Sequence, residues 1–274
     1  MRWSTTPNSY FSPTIPENDF SKYLTSNNSR LGYGTYNASR AKCINVLLIG
    51  RSQVGKSTIV EVLLNPQKGT YSNGFSITKV PHMQSLIVTD EQTDYSYQIN
   101  IVDTPGFGQV RENNENPTDD DVLKCVSRCI EHNINWLNVV CFVTKAKETN
   151  RLDVPVFKKL WPYLGPSYAD TSMMVVTHCE GYTADERVEI IENIRTHTIT
   201  KEYYDYCKLG TYCFGAIDVN KVNEFKEKLR PMIVEDKLVE IETMRDTFIT
   251  KIIEGANTKK TINELKQIHD EMKC

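Results

Sequence analysis

A glycine-rich segment at residues 50–57 has the composition and spacing needed to enclose phosphate groups. It reads Gly-Arg-Ser-Gln-Val-Gly-Lys-Ser, which fits the pattern GxxxxGK[ST]. Its two glycines permit backbone conformations in which successive N–H groups point at phosphate oxygens, and its lysine adds a positive charge. The segment lies between an apolar run and a helical pattern, the context that distinguishes phosphate-binding loops from chance matches. The residues predicted to bind the nucleotide here are Gly50, Arg51, Ser52, Gln53, Val54, Gly55, Lys56, Ser57 and Thr58.

A second motif, Asp-Thr-Pro-Gly at residues 103–106, follows the next apolar strand and indicates a metal-linked phosphate site. In P-loop proteins the aspartate of such a motif holds Mg²⁺, and the N–H of its glycine, here Gly106, senses a γ-phosphate. Between the two motifs, Thr78 is the candidate switch threonine, with Thr70, Ser72 and Ser76 as alternatives. The predicted magnesium ligands are Ser57, Thr78 and Asp103.

Strands that alternate with helices are expected to position these motifs. Apolar runs of strand length lie at 43–49, 85–89, 95–102, 136–144, 172–177 and 211–214. Helical patterns lie at 56–65, 154–164 and 185–196, and Thr118 followed by three aspartates predicts another helix start. This alternation predicts an α/β fold, a three-layer P-loop domain with a mostly parallel sheet and added C-terminal helices.

The chain of 274 residues is long enough for one principal domain with accessory segments. A Ser-, Asn-, Thr- and Pro-rich stretch predicts a flexible N-terminal arm at residues 1–40. The nucleotide-binding domain is expected at 41–230 and a C-terminal helical extension at 231–274. Apolar stripes in the extension, one through Ile241 and Phe248 and another starting at Ile262, are expected to pack on the domain or to form a partner surface.

In combination the motifs resemble a known family. The segments GRSQVGKST, SIT, IVDTPGFG and VVTHCE are similar, in this order, to the GIMAP group of immunity-associated GTPases, which is related to septins and to the GTPase receptors of chloroplast import. The resemblance covers about residues 43–218. It implies a GTP-binding protein that uses GTP or GDP with Mg²⁺, hydrolyses GTP and forms a homodimer or oligomer in the GTP state.

The resemblance also indicates where the base is read. Thr177-His178-Cys179-Glu180 stands where most GTPases have Asn-Lys-x-Asp, so Glu180 would accept hydrogen bonds from the N1–H and 2-amino group of guanine. His178 would be a platform for the base, or alternatively a surface histidine. A further base loop is expected around Gly215, and it has no asparagine, so its contacts would come from backbone atoms.

Catalysis is expected to be slow. Fast Ras-like GTPases have a glutamine directly after the glycine of the second motif, but this chain has Phe107, which cannot orient water. Gln109 is the nearest candidate substitute. Arg51 and Arg111 could serve as arginine fingers or be solvated loop residues. The residues predicted to act in hydrolysis are Lys56, Thr78, Gly106 and Gln109, and dimerisation is expected to raise the rate.

Composition narrows the function classes further. The net charge of −3 argues against a nucleic-acid partner, and neither a signal sequence nor a transmembrane segment is evident, so a cytoplasmic location is expected. Two other functions remain open on these residues. One is a P-loop ATPase or kinase, which Glu180 disfavours, and the other is an assembly module that binds nucleotide without hydrolysing it, which Phe107 favours.

Overall fold

The structure, a computed structural model, describes residues 3–7, 42–67, 69, 82–90, 92, 95–106, 136–147, 153–256 and 260–261. Several predicted residues lie outside these ranges, so the structure does not test them. They are Thr78, Phe107, Gln109, Arg111, the helix start at Thr118 and the stripe from Ile262.

Seven strands form one sheet in the order β1-β3-β4-β2-β6-β7-β8. Strands β1, β3 and β4 pair antiparallel, and every other neighbouring pair is parallel. The prediction of an α/β fold with a mostly parallel sheet is therefore confirmed. The strands of the described residues are β1 (Trp3–Pro7), β2 (Lys42–Ile49), β3 (His82–Asp90), β4 (Ser96–Asp103), β5 (Trp136–Leu137), β6 (Val139–Lys145), β7 (Ser172–Thr177), β8 (Thr211–Cys213) and β9 (Lys260–Thr261).

In the described part of the chain, helices follow β2, β6, β7 and β8, and their ends follow local sequence. The first helix begins directly after Gly55 and stops before Asn65 and Pro66, because proline cannot continue a helix. The third begins at a capping box in which Thr183 and Glu186 satisfy each other's backbone N–H groups. The α-helices are α1 (Lys56–Leu64), α2 (Val154–Leu164), α3 (Ala184–Thr196), α4 (Lys201–Tyr206), α5 (Val219–Asn223) and α6 (Arg230–Gly255).

The sequence predicted one strand at 136–144, but the structure divides it at Asn138. This side chain is fully buried, and its Oδ1 accepts a hydrogen bond of 2.9 Å from the backbone N–H of Asn45. In return, the Asn138 N–H donates to the Asn45 carbonyl at 2.9 Å. A buried amide needs such partners, so the chain bends to supply them. The prediction of one continuous strand is wrong here, and the short β5 pairs instead with β9.

The prediction of a flexible arm is wrong for residues 3–7, which form the edge strand β1 beside β3. Trp3 is buried, packs edge-on against the ring of Tyr97, and donates its indole N–H to the Thr250 hydroxyl of α6 at 3.2 Å. Burial of a large aromatic ring together with strand pairing offsets the entropy lost on ordering this segment.

Helix α6 packs on the same hydrophobic core as the sheet. Ile241, Phe248 and Ile252, which belong to the predicted stripe, are completely buried. The buried Arg245 donates to the Leu63 carbonyl in the last turn of α1, at 3.2 Å, and to the Trp3 carbonyl of β1, at 3.0 Å. Intramolecular packing of the first stripe is thereby observed, whereas the domain boundary near residue 230 stays a prediction.

None of the helices in the described ranges combines the length and the apolar character that crossing a bilayer requires.

Candidate nucleotide-binding site

The predicted motifs meet at one edge of the sheet. The phosphate loop follows β2, the Asp103 motif ends β4, the Thr177 motif ends β7 and the Gly215 loop follows β8. These four strands run in parallel within the sheet, so their carboxyl ends lie at the same edge. Loops at this edge are where open α/β sheets bind their ligands.

The phosphate loop is tightly packed at its first residue and has left-handed backbone conformations at two others. A Cβ atom on Gly50 would lie only 2.4 Å from the Val143 carbonyl oxygen, so no side chain fits there. Gly55 has φ 91°, in the left-handed region that favours glycine. Gln53 also lies in that region, at φ 62°, which the sequence motif did not indicate because this position tolerates any residue.

Lys56 places its charge inside the loop. Its ammonium donates to the carbonyl oxygens of Gly50, at 3.0 Å, and Arg51, at 2.8 Å, and the residue is only 6% exposed. The side chain starts from the first residue of α1, where the helix dipole is positive. A helix N-terminus and a buried ammonium together favour an anionic ligand such as phosphate.

Ser57 and Asp103, two of the predicted magnesium ligands, lie side by side. The Ser57 hydroxyl donates to Asp103 Oδ2 at 2.6 Å, and Asp103 is buried. A hydroxyl and a carboxylate are the hard oxygen ligands that Mg²⁺ prefers, so the pair fits the ion. Within the described ranges no three His, Cys, Asp or Glu side chains cluster in a way that could hold a metal. The other ligands of Mg²⁺ here would be phosphate oxygens, water and the predicted Thr78, which lies outside the described residues.

The loop that contains Gly106 lies against the phosphate loop. A Cβ atom on Gly106 would lie 2.1 Å from Cα of Ser52, which leaves room only for glycine. The neighbouring Thr104 is fully buried and fixes the turn by donating its hydroxyl to the Leu48 carbonyl at 2.8 Å. The backbones of the two loops are thus in contact. The Gly106 N–H needs such contact if it is to respond to a γ-phosphate bound in the phosphate loop.

Thr177 joins the end of β7 to the phosphate loop. Its buried hydroxyl lies 2.5 Å from the Val54 carbonyl oxygen and 3.0 Å from that of Thr144. His178 follows in the left-handed region at φ 60°, is exposed, and has Nδ1 3.1 Å from the Thr177 hydroxyl. The Thr177 side chain therefore links the phosphate loop to the end of β6, while His178 faces solvent beside them.

Glu180 lies against the loop after β8, so the two segments predicted to read the base are in contact. A Cβ atom on Gly215 would lie 2.8 Å from the Glu180 backbone nitrogen and 2.9 Å from Cε of Met244 in α6. The Glu180 side chain is 12% exposed, and its Oε1 lies 3.8 Å from the Lys221 ammonium. The same ammonium lies 3.8 Å from Asp218, whose carboxylate caps α5. The sequence did not indicate Lys221 or Asp218, because neither belongs to a known motif.

Cys179 is the buried residue between His178 and Glu180. Its N–H donates to the Phe214 carbonyl at 3.0 Å. A hydrogen bond with Cys213 and burial raise the pKa of the Cys179 thiol well above its usual range, so this thiol stays neutral. The same hydrogen bond lowers the pKa of Cys213, and the charge of Arg187 adds to this effect. Cys179 therefore fills space between His178 and Glu180, the residues predicted to contact the base.

Arg51 is one of the residues predicted to bind the nucleotide, and its side chain was expected to be an arginine finger or a solvated loop residue. Its Nε donates to Asp153 Oδ1 at 2.6 Å, and Asp153 Oδ2 accepts the Thr144 hydroxyl at 2.5 Å. Asp153 is 1% exposed. The interpretation of Arg51 as a solvated arginine is wrong for this reason. Sequence reasoning missed Asp153, because an aspartate just before a helix is typical of an N-cap.

Most of this site lies in a region that matches a known protein family. The model of the AIG1 family matches residues 44–209, which is more than half of the chain and includes every motif described above except Gly215. The chain belongs to the AIG1 family. The resemblance to GIMAP-type GTPases is thereby confirmed, and the chain is a GTP-binding protein of the P-loop class.

Individual relatives match this AIG1-family chain at low identity or over a short segment. Septin homolog spn1 of Schizosaccharomyces pombe is 36% identical over 78 residues, which are 26% of this chain and 17% of that protein. Cell division control protein 10 of Saccharomyces cerevisiae is 25% identical over 230 residues, 74% of this chain and 67% of that protein. The first match thus spans less than a fifth of its relative.

The fold also resembles a solved structure. The crystal structure of a dimerization-deficient mutant of Toc33 from Arabidopsis thaliana matches with a TM-score of 0.52 and 17% identity, over 92% of this chain and 93% of Toc33. At this identity the match shows a shared fold alone, and it supports the α/β architecture described above.

Proposed function

We propose that this chain binds GTP and GDP with Mg²⁺, hydrolyses GTP slowly, and acts as a nucleotide-dependent switch or scaffold. One observation carries the proposal: the Thr177 hydroxyl contacts the Val54 carbonyl of the phosphate loop. Because Thr177 begins the motif that contains Glu180, the groups suited to phosphate and to guanine belong to one site. A carboxylate there accepts from guanine N1–H and the 2-amino group, which adenine lacks.

Each residue then has a role that its position supports. Lys56 and the N–H groups of the loop bind the outer phosphates. Ser57 and Asp103 would hold Mg²⁺, which neutralises phosphate charge when bound. The N–H of Gly106 reports on the γ-phosphate through its contact with the phosphate loop. Thr78 and Gln109, as the switch threonine and water-orienting residue, remain predictions from the sequence, as do a cytoplasmic location and the absence of a nucleic-acid partner.

Slow hydrolysis is expected for two reasons. The residue after Gly106 is not a glutamine, and the Arg51 side chain is paired with Asp153. Phe107 offers no hydrogen bond to orient an attacking water. The Arg51 guanidinium is held by Asp153 and does not act as an arginine finger in this arrangement. A second nucleotide-bound copy could supply the missing charge, and the Toc33 structure of similar fold is that of a dimerization-deficient mutant. If the protein binds GTP but does not hydrolyse it, its function is better described as an assembly module that binds nucleotide without hydrolysis.

Single-turnover hydrolysis at increasing protein concentration tests this proposal. We expect a rate constant of about 10⁻³ s⁻¹ or less at concentrations where the chain is monomeric, comparable with intrinsic rates of GTPases that lack an activator. The rate should rise as the protein dimerises, which light scattering on the same samples would detect. Rapid hydrolysis by the monomer, or a rate independent of concentration across dimer formation, would contradict it.

A further inference from the structure

The phosphate loop is held at two points by one connected set of buried and partly buried polar groups. At its second residue, Arg51 Nε donates to Asp153 Oδ1 at 2.6 Å. Asp153 Oδ2 accepts the Thr144 hydroxyl at 2.5 Å, and the Thr144 carbonyl lies 3.0 Å from the Thr177 hydroxyl. That hydroxyl returns to the loop at its fifth residue, 2.5 Å from the Val54 carbonyl oxygen. The set therefore spans β6, β7 and the residue that precedes α2.

The charges in this set make it sensitive to substitution. The Asp153 side chain is 1% exposed and that of Arg51 is 18% exposed, so water screens the pair weakly. A buried carboxylate is tolerated only when it is paired and its oxygens are hydrogen-bonded, and both Asp153 oxygens have such partners. Removing the Arg51 guanidinium leaves the buried Asp153 carboxylate without this ion pair, and removing the carboxylate releases the partly buried guanidinium from its position beside Thr144 and β6.

The Arg51 backbone carries this constraint to the phosphate-binding lysine. The Arg51 carbonyl accepts a hydrogen bond from the Lys56 ammonium at 2.8 Å. A guanidinium fixed by Asp153 limits where this carbonyl can lie, and hence where the ammonium lies. Since the two charges of the pair cancel, the pair adds little to the positive potential of the loop, which leaves Lys56 as the phosphate-binding cation described above.

We infer that Asp153 and Arg51 are positioning residues that hold the phosphate loop in its nucleotide-binding conformation. This inference rests on the proposed function, because it assigns a role within the same nucleotide site. It differs from the roles that the P-loop motif gives, since Asp153 lies outside every motif and Arg51 occupies a position that the motif leaves open.

A cycle of charge-removing variants tests the inference. We expect Asp153→Asn and Arg51→Gln each to raise the Kd for fluorescent GDP about tenfold, mainly through faster dissociation, because each breaks the ion pair that holds the second residue of the phosphate loop. The double variant should return to within about threefold of the wild-type Kd, since the two neutral amides can hydrogen-bond to each other. A matched control removes the exposed pair on α3, with Arg195→Gln and Glu192→Gln, and should change the Kd less than twofold.

The outcomes separate this inference from the proposed function. Wild-type protein that fails to bind GDP would refute the proposed function itself. If the wild type binds and the single variants bind equally well, or more tightly, the positioning role is wrong. A double variant as weak as the sum of both single changes would also overturn it, because independent effects show no coupling. Thermal unfolding of each variant identifies a purely structural role, in which stability falls and the Kd of the folded protein does not change.

Discussion

Replacing Lys56 with alanine is expected to raise the Kd for GDP and GTP by about two to three orders of magnitude. The ammonium is almost completely buried and held by the Gly50 and Arg51 carbonyl oxygens, so its charge is fixed where phosphate would bind. Breaking one buried charged interaction costs about 3–5 kcal/mol, and each 1.4 kcal/mol corresponds to a tenfold change in Kd. The smaller side chain also leaves those two carbonyl oxygens without this donor.

Fluorescent nucleotide titration measures this effect, and Lys201→Ala is the matched control. Lys201 is exposed on α4, where it pairs with Asp205, so its loss should leave the Kd within twofold of the wild type. Circular dichroism on both variants would show that the fold is retained. A Lys56→Ala protein that binds GDP as tightly as the wild type would place the phosphates elsewhere.

Replacing Glu180 with glutamine is expected to lower the preference for GTP over ATP by about a hundredfold. The carboxylate can accept two charge-assisted hydrogen bonds from guanine, each worth about 1.5–3 kcal/mol, whereas an amide offers one acceptor and a mismatched donor. Adenine presents no such donors, so ATP affinity should hardly change. The loss should therefore appear in the ratio of the two Kd values, with an unchanged Kd for ATP.

Two further variants test whether the lower preference for GTP arises from the loss of a contact between Glu180 and guanine. Glu189→Gln alters an exposed carboxylate on α3 and should have no effect. Lys221→Met removes the partner 3.8 Å from Glu180, but this lysine is 62% exposed, so we expect less than a threefold change. An unchanged GTP preference in Glu180→Gln would show that Glu180 does not read the base.

The parts of the fold that the sequence predicted are those specified by local patterns. The strand before the phosphate loop is a continuous apolar run, and α1 has helical spacing and a proline after its end. By contrast, β1 depends on pairing with β3 about eighty residues away, and its own composition is typical of a disordered tail. The division at Asn138 likewise depends on Asn45 in another strand.

The residues of the candidate site also divide into those that local motifs specify and those that depend on contacts between distant parts of the chain. Gly50, Lys56, Ser57 and Asp103 were predictable, because their motifs require these residue types at fixed spacing. Asp153 was not, because its role arises from a contact with Arg51 across 102 positions of the chain. Lys221, which follows β8, lies near Glu180, which follows β7, only because these two strands are adjacent. Such contacts follow from the order of strands in the sheet, which local sequence does not specify.

The most direct test of a guanine-nucleotide site is calorimetric titration of the wild-type chain with GTP, GDP and ATP in the presence of Mg²⁺. We predict that GTP and GDP bind at one site per chain, at least about a hundredfold more tightly than ATP. ATP binding equal to or tighter than GTP binding would contradict the assignment of Glu180 and the nucleotide preference together.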